Sequence, residues 1–230
     1  MTVLCSIMRD SSSYVDRYMD QALNLAAHHG PVKVVIAEGD STDDTYARLR
    51  EYRTFTGLNV LKVEHGGPYY GSIDNPLRWR QLAVVCNVAM TAAVRIAEAD
   101  EPVVYVESDL IWDTETMAAL IDLTGKYPAV APLSIRGKRF YDLWGYRKDG
   151  IQFSPTPPYH PRILNDSMTR IDSAGSCIAM SPTAARVAEF SLTDCILGVG
   201  RSLYANGLSL WLDPTRKVIH PYPEPAQVPA

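Results

Sequence analysis

The sequence predicts an α/β protein with a mostly parallel, twisted central sheet flanked by helices and a smaller antiparallel region in its second half. Three observations carry this. From Thr2 to Val106, short apolar, β-branched runs alternate with stretches of helical periodicity. That β-α-β order implies parallel strands joined by crossovers, with helices on both faces. After Tyr127, Pro, Tyr and Arg become frequent, and short strand-like runs replace the long helical pattern.

Each element has its own signal. Thr2–Met8 is an apolar run of strand length. Val15, Tyr18, Met19, Ala22, Leu25 and Ala26 then recur at helical spacing. Val32–Ala37 is β-branched, hence a second strand. Ser41-Thr42-Asp43-Asp44 reads as a capping box opening a helix that carries Tyr46, Leu49 and Tyr52 inward. Leu58–Val63 is a third strand. His65–Asn75 is rich in Gly and Tyr, lacks a period and reads as a mobile loop. Leu77–Ala97 is a long helix with Leu82, Val85, Cys86, Ala89, Ala93 and Ile96 toward the core, and Pro102 introduces a fourth strand, Val103–Val106. In the second half, Ala129–Ile135 and Phe140–Arg147 read as strands. Pro155–Pro161 reads as a loop, because proline neither continues a helix nor donates to a sheet. Pro182–Phe190 and Cys195–Asn206 read as helices, and Leu208–Leu212 and Lys217–Ile219 as short final strands.

The 230 residues are 47% apolar and 21% charged, enough apolar material for a real core. With 22 basic and 26 acidic residues the net charge is −4, which lacks the basic balance of a polyanion binder while leaving room for a local basic patch. Cys5, Cys86, Cys177 and Cys195 stand far apart with no C-x-x-C pair. That disfavours a zinc knuckle or redox motif and fits buried free thiols in a reducing compartment. No basic segment precedes a long apolar stretch at the N-terminus, and the apolar strands are too short to span a bilayer. The expectation is a cytoplasmic protein.

In open parallel sheets, ligands bind beyond the carboxyl ends of the strands. Three polar clusters fall at such ends: Arg9-Asp10, Glu38-Gly39-Asp40-Ser41 and Glu107-Ser108-Asp109. Each alone reads equally as a loop cap, but the topology gathers all three on one rim. Residues two apart on an extended strand point the same way, so Glu107 and Asp109 are placed to grip one hard divalent cation through oxygen. Such a cation neutralises a diphosphate and stabilises charge on a departing phosphate. Arg78-Trp79-Arg80-Gln81 opens the long helix, where arginines and helix N–H groups favour phosphate oxygens; the same arginines read equally as solvated. Ser173-Ala174-Gly175-Ser176 is small enough for a ligand to approach the backbone closely. The aromatics of Phe140–Tyr146, Trp144 among them, read either as core packing or as a face for a sugar or base.

The order VVIAEGDSTDDT, VVYVESDLIWD, TDCILGVGRSLYANG and KVIHP resembles GT-A glycosyltransferases, family 2 above all, over nearly the whole chain. That family shows V-D-D-G-S-x-D-x-T after its second strand, D-x-D after its fourth, an E-D segment opening a late helix, and often a C-terminal metal-binding His. The resemblance implies a metal-dependent glycosyltransferase that moves a hexose or pentose from a nucleoside-diphosphate sugar to an acceptor hydroxyl, with Mn2+ or Mg2+. It implies Asp109 and His220 as metal ligands. Asp194 matches the general base of inverting members, with Thr193 where the family has Glu. Ser6, Arg9, Glu38, Asp40, Arg80, Glu107 and Ser108 are implied around the nucleotide and diphosphate. Glu38 and Glu107 each stand where the family has Asp. Asp43 matches a further acid, with helix capping as an equal reading. Gly175 and Ser176 are implied near the transferred sugar and acceptor, and Trp144 is the substrate-binding candidate among the aromatics of Phe140–Tyr146. The implied organisation is a single GT-A-like domain over 1–230, its nucleotide-binding half at 1–109 and its acceptor-binding half at 110–230.

Two other readings stand beside this one. A nucleotidyltransferase acting on a sugar phosphate shares the α/β plan. It should carry a Gly-rich basic loop after the first strand, where this chain has Met8-Arg9-Asp10-Ser11-Ser12-Ser13. A non-catalytic nucleotide-sugar binding module would need no base. A dinucleotide-binding oxidoreductase is disfavoured, because no G-x-G-x-x-G follows the first strand. The acceptor is open. Arg136, Lys138, Arg139, Arg147, Lys148, Arg162 and Arg170 concentrate in the second half, which keeps DNA beside glycans as an acceptor class.

Overall fold

The computed structural model describes residues 1–67, 75–162 and 167–222. Its first half is a parallel sheet. Strands β1 (Thr2–Met8), β2 (Val32–Glu38), β3 (Leu58–Lys62) and β4 (Val103–Val106) lie in the order β3-β2-β1-β4. Helices α1 (Ser12–His29), α2 (Thr45–Glu51) and α3 (Pro76–Ile96) supply the crossovers. The alternation of strand residues explains why both faces are covered. Val3, Cys5, Val35, Ala37, Val103 and Tyr105 pack in one core with Ala83, Cys86 and Ala89 of α3. Leu4, Met8, Val34, Ile36, Val104 and Val106 pack in the other with Val15, Tyr18, Met19, Ala22 and Leu25 of α1.

The second half extends the same sheet. After α4 (Thr114–Leu123) come β5 (Ala129–Arg136), β6 (Arg139–Phe140), β7 (Arg147–Lys148), β8 (Ile151–Gln152), β9 (Thr169–Ile171) and β10 (Cys177–Met180). Helices α5 (Pro182–Val187) and α6 (Leu197–Ala205) then lead to β11 (Leu210–Ile219). Strand β10 inserts antiparallel between β4 and β5, β11 runs parallel to β5, and β9 closes the edge antiparallel to β11. A separate hairpin, β7–β8, stands off the sheet. The carboxyl ends of β1, β2, β4 and β11 therefore share one rim with the amino end of β10.

Four sequence expectations are corrected. Helix α4 has no counterpart in the sequence reading, although Asp113 caps it by accepting from Thr116 N at 2.6 Å, and Met117, Leu120 and Ile121 bury one face. Phe140–Arg147 is not one strand. Its middle is a turn in which the Asp142 carboxylate accepts from Gly145 N at 3.1 Å, and only its two ends pair. Leu208–Leu212 and Lys217–Ile219 are not separate strands but parts of β11, whose register shifts between Asp213 and Lys217, around Pro214. The capping box does not form. Ser41 Oγ instead accepts from Asp10 N at 3.0 Å, while Asp43 accepts from Ser12 N at 3.0 Å and Thr45 N at 2.9 Å. These bonds brace the loop after β1 against the loop after β2.

Residues 68–74 of the expected His65–Asn75 loop lie outside the described residues. All four cysteines are free and buried, as the spacing predicted. Among the described residues, no helix is long and apolar enough to cross a membrane.

Candidate metal centre and the cavities around it

Main-chain bonds between distant segments hold the rim. Glu107 N donates to Ser176 O at 2.8 Å, tying the end of β4 to the start of β10. Ile111 and Ile219 exchange both N–H···O bonds at 2.8 Å, and His220 N donates to Ile135 O at 2.9 Å. Arg17 of α1 donates to Asp109 O at 2.8 Å. The main chain thus carries His220 to the turn that holds Glu107 and Asp109.

Glu107, Asp109 and His220 each offer a ligand atom, all within 4.8 Å of one another. His220 Nδ1 lies 3.3 Å from Asp109 Oδ2, and its Nε2 lies 3.8 Å from Glu107 Oε2. The imidazole is only 3% exposed. Nδ1 has no hydrogen-bond partner among the described residues, whereas Nε2 meets Ser176 Oγ at 3.1 Å. A buried ring nitrogen left unbonded while its twin is held by a hydroxyl is how a histidine is prepared as a ligand. Two carboxylates and one imidazole suit Mn2+ or Mg2+. The carboxylates do not converge by strand pleat, as the sequence suggested. Strand β4 stops at Val106, and Leu110 N bonds Glu107 O at 3.3 Å to close a turn. Burial pushes the Glu107 carboxyl well above the ordinary range, and the charges of Asp109 and Asp142 push it further. Positive charge placed among these carboxylates would reverse that repulsion.

Two cavities meet at this cluster. The first, about 320 Å³, is lined by Met8, Arg9, Asp40, His65, Gln81 and Ser108, among others. The second, about 260 Å³, is lined by Trp79, Tyr141, Asp142, Trp144, Ser176 and His220, among others. They share Ile7, Arg78, Leu82, Glu107 and Asp109, so the carboxylates form the wall between them.

The sequence-derived candidates divide accordingly. Arg9, Asp40 and Ser108 line the first cavity, Trp144, Ser176 and His220 the second, and Glu107 and Asp109 both. Ser6, Glu38, Arg80, Gly175 and Asp194 line neither. Ser6 is fully buried in β1. Glu38 is 1% exposed; its Oε1 accepts from Ser41 N at 3.3 Å, and its Oε2 has no partner among the described residues. Arg80 is exposed, and the arginine at both cavities is Arg78. Two residues apart on a helix point about 200° apart, so only one of the pair faces inward.

Asp40 and Arg9 also hold chain segments in place. Asp40 accepts from the backbone N–H of His65, Gly66 and Gly67, and Arg9 donates to Gly67 O at 3.0 Å. Burial works to raise the Asp40 carboxyl, but those three N–H groups and the Arg9 charge outweigh it and keep it below the usual range. Asp194 is clamped by both terminal nitrogens of Arg201, which hold its carboxyl below the ordinary range.

Sequence reasoning missed Asp142, because its aromatic neighbours dominated the segment. Asp142 Oδ2 accepts from Ser176 Oγ at 2.8 Å, which in turn meets His220. The signal available was an acid three residues before a glycine, a side-chain turn. Tyr141, one of the aromatics of the Phe140–Tyr146 segment, places its ring 3.9 Å from the His220 ring and under the Arg136 guanidinium at 3.7 Å.

No family model and no curated protein matches the chain. Solved structures do. Mannosyltransferase PcManGT from Pyrobaculum calidifontis, in complex with GDP-Man and Mn2+, aligns with TM-score 0.60 and 15% identity over 99% of this chain and 58% of that one. Residues 1–349 of S. aureus TarS, in complex with UDP-GlcNAc, align with TM-score 0.57 and 19% identity over 98% and 60%. A mycobacterial protein aligns with TM-score 0.53 and 17% identity over 98% and 68%. The chain spans about three fifths of the length of the first two, at 58% and 60%. The fold is that of GT-A-type glycosyltransferases.

Proposed function

We propose that the protein is a metal-dependent glycosyltransferase that takes a sugar from a nucleoside-diphosphate sugar and passes it to an acceptor hydroxyl. The observation that carries this reading is the pair of cavities divided by Glu107 and Asp109, with His220 closing the cluster. A nucleotide sugar has the same plan: a nucleoside on one side, a sugar on the other and a diphosphate between. The GDP-Man and Mn2+ held by PcManGT, and the UDP-GlcNAc held by TarS, support the same ligand class.

In this reading Asp109 and His220 hold Mn2+ or Mg2+, with Glu107 beside them. The bound cation would supply positive charge to the diphosphate as it leaves. Arg78 adds a fixed guanidinium at the junction of the cavities. Arg9, Asp40 and Ser108 shape the nucleoside side, with Ser6 and Glu38 behind them toward the base or ribose. Trp144 and Ser176, supported by Gly175, bound the sugar side. Asp194 remains the proposed base of an inverting transfer, because Cys195 and Ile196 next to it line the second cavity. Arg201 keeps that carboxylate ionised but weakly basic, so the pair must open before it takes a proton.

For the acceptor, a glycan hydroxyl is favoured over DNA. Of the seven basic residues, Arg136, Arg147, Lys148, Arg162 and Arg170 already engage Tyr141, Trp144 O, Asp149, Asp149 and Tyr204 respectively, which leaves two exposed cations, Lys138 and Arg139, too few for a phosphate-binding face.

The test is Asp109→Ala, assayed for Mn2+-dependent hydrolysis of GDP-mannose and UDP-GlcNAc and for nucleotide affinity. Hydrolysis falls to background if the reading is right, and unchanged hydrolysis and affinity overturn it. Release of pyrophosphate from a nucleoside triphosphate and a sugar phosphate would install the nucleotidyltransferase instead. Donor binding without turnover would leave a binding module.

A further inference from the structure

The second cavity holds a carboxylate that neither the metal cluster nor the proposed base accounts for. Asp142 sits in the turn before Gly145, and two glycines from separate segments make room for it. A Cβ on Gly175 would stand 1.5 Å from Asp142 Oδ2, and one on Gly145 2.8 Å from Oδ1. Ser176 Oγ and Gly145 N occupy one direction on each oxygen. An ionised carboxylate accepts in about four directions, so about two remain for a ligand.

The surroundings are those of a sugar site. Trp79 and Trp144 also line this cavity, with ring centroids 5.3 Å apart and planes tilted by 32°. Aromatic faces cover the apolar face of a pyranose, while a few fixed polar groups set its orientation. The Trp79 indole N–H is buried without a partner among the described residues, which adds a donor to the acceptor that Asp142 supplies. Ser176 spans the gap between Asp142 and His220, at 2.8 and 3.1 Å, so the carboxylate lies one hydroxyl away from the metal cluster.

We propose that Asp142 is a specificity-determining residue: it accepts hydrogen bonds from hydroxyls of the transferred sugar, on a wall made by Trp79 and Trp144, and so selects which sugar the protein takes. This rests on the glycosyltransferase reading above.

The experiment compares the full-length wild type with Asp142→Asn, which keeps the shape and removes the charge. Titration calorimetry with Mn2+ present measures GDP, UDP, GDP-mannose and UDP-GlcNAc on both. For whichever donor the wild type binds, the substitution is expected to raise the Kd of the nucleotide sugar about 10- to 100-fold, the weight of a hydrogen bond to a charged group. The Kd of the matching nucleoside diphosphate is expected to stay within about 2-fold, since it does not reach the second cavity. Monodeoxy forms of that donor close the cycle: one deoxy position weakens binding to the wild type but costs nothing further against Asp142→Asn.

Equal shifts for nucleotide sugar and nucleoside diphosphate, or no shift for either, overturn the assignment while leaving the glycosyltransferase reading intact. A wild type that binds none of the four overturns both.

Discussion

Replacing Gly175 with alanine isolates the packing that holds Asp142. The Gly175 backbone lies outside the left-handed region, so alanine meets no dihedral penalty there and the clash is the whole effect. The new Cβ would sit 1.5 Å from Asp142 Oδ2, against a normal contact near about 3.5 Å. The carboxylate must retreat by about 2 Å, which breaks its 2.8 Å bond from Ser176 and strains the 3.1 Å bond from Gly145. Overpacking of this kind costs about 1–3 kcal/mol, and one lost hydrogen bond to a charged group about 1.5–3 kcal/mol. A combined loss of about 3–5 kcal/mol lowers the melting temperature by roughly 10 °C in a chain of this size. Differential scanning fluorimetry reads this directly. The control is Gly175→Ala in an Asp142→Ala background, where the obstructing atoms are gone. Asp142→Ala alone should cost only about 1 kcal/mol, because burial already opposes that charge. The double variant should then match Asp142→Ala, a coupling of about 3–5 kcal/mol. Simple additivity of the two single changes would refute the contact and with it the shape assigned to the cavity.

Three further outcomes are expected. Mn2+ at about 100 times its Kd should stabilise the wild type by about 2.7 kcal/mol, and His220→Ala or Asp109→Ala should abolish the thermal shift, which EDTA also reverses. Persistence of the shift in both variants would place the cation elsewhere. Asp194→Asn should remove turnover while leaving donor affinity unchanged, and retained turnover would exclude it as the base. The third concerns pH and Glu101, 3% exposed, which accepts from Lys33 Nζ and from Glu98 N, both at 2.9 Å. Burial works to raise its carboxyl, but the Glu98 N–H and the Lys33 ammonium outweigh it, so the folded value lies below the usual range. Such a group stabilises the fold above its unfolded pKa, near about 4.3, and that contribution disappears as pH falls through the lower folded value. The stability gap between wild type and Glu101→Gln should therefore be full at neutral pH and close below about pH 4; a gap that widens on acidification would contradict the assignment.

The first half was legible because three of its four strands, β1, β2 and β4, are buried on both faces. Val103–Val106 is apolar at every position, and such runs announce themselves without knowledge of their neighbours. The second half was harder because β6, β7 and β8 are two-residue pairings whose existence depends on a partner elsewhere. The turn at Asp142–Tyr146 carried one local signal, an acid three residues before a glycine, and the aromatic neighbours concealed it. At the site, Glu107 and Asp109 were legible as a pair of acids at a strand end, but the turn that joins them was not. Arg78 falls in phase with Leu82, Val85 and Ala89 of the expected core face and Arg80 does not, so helical spacing alone could have separated them. The Asp142 site was illegible because the glycine and hydroxyl that define it, Gly175 and Ser176, follow it by more than thirty residues.

One reversed strand accounts for how those pieces meet. In a wholly parallel sheet, only residues that follow a strand reach the carboxyl rim. Strand β10 runs antiparallel between β4 and β5, so the residues before it, Gly175 and Ser176, arrive there instead. That places Ser176 O against Glu107 N and lets its hydroxyl span Asp142 and His220. Strand β11 keeps the parallel sense beside β5, so its last residue delivers His220 to the same rim from the opposite side. Glu107 and Asp109 come from β4, His220 from β11 and Ser176 from the start of β10. The metal cluster and the sugar-facing carboxylate therefore share a single framework, and a change that displaces the start of β10 should disturb both at once.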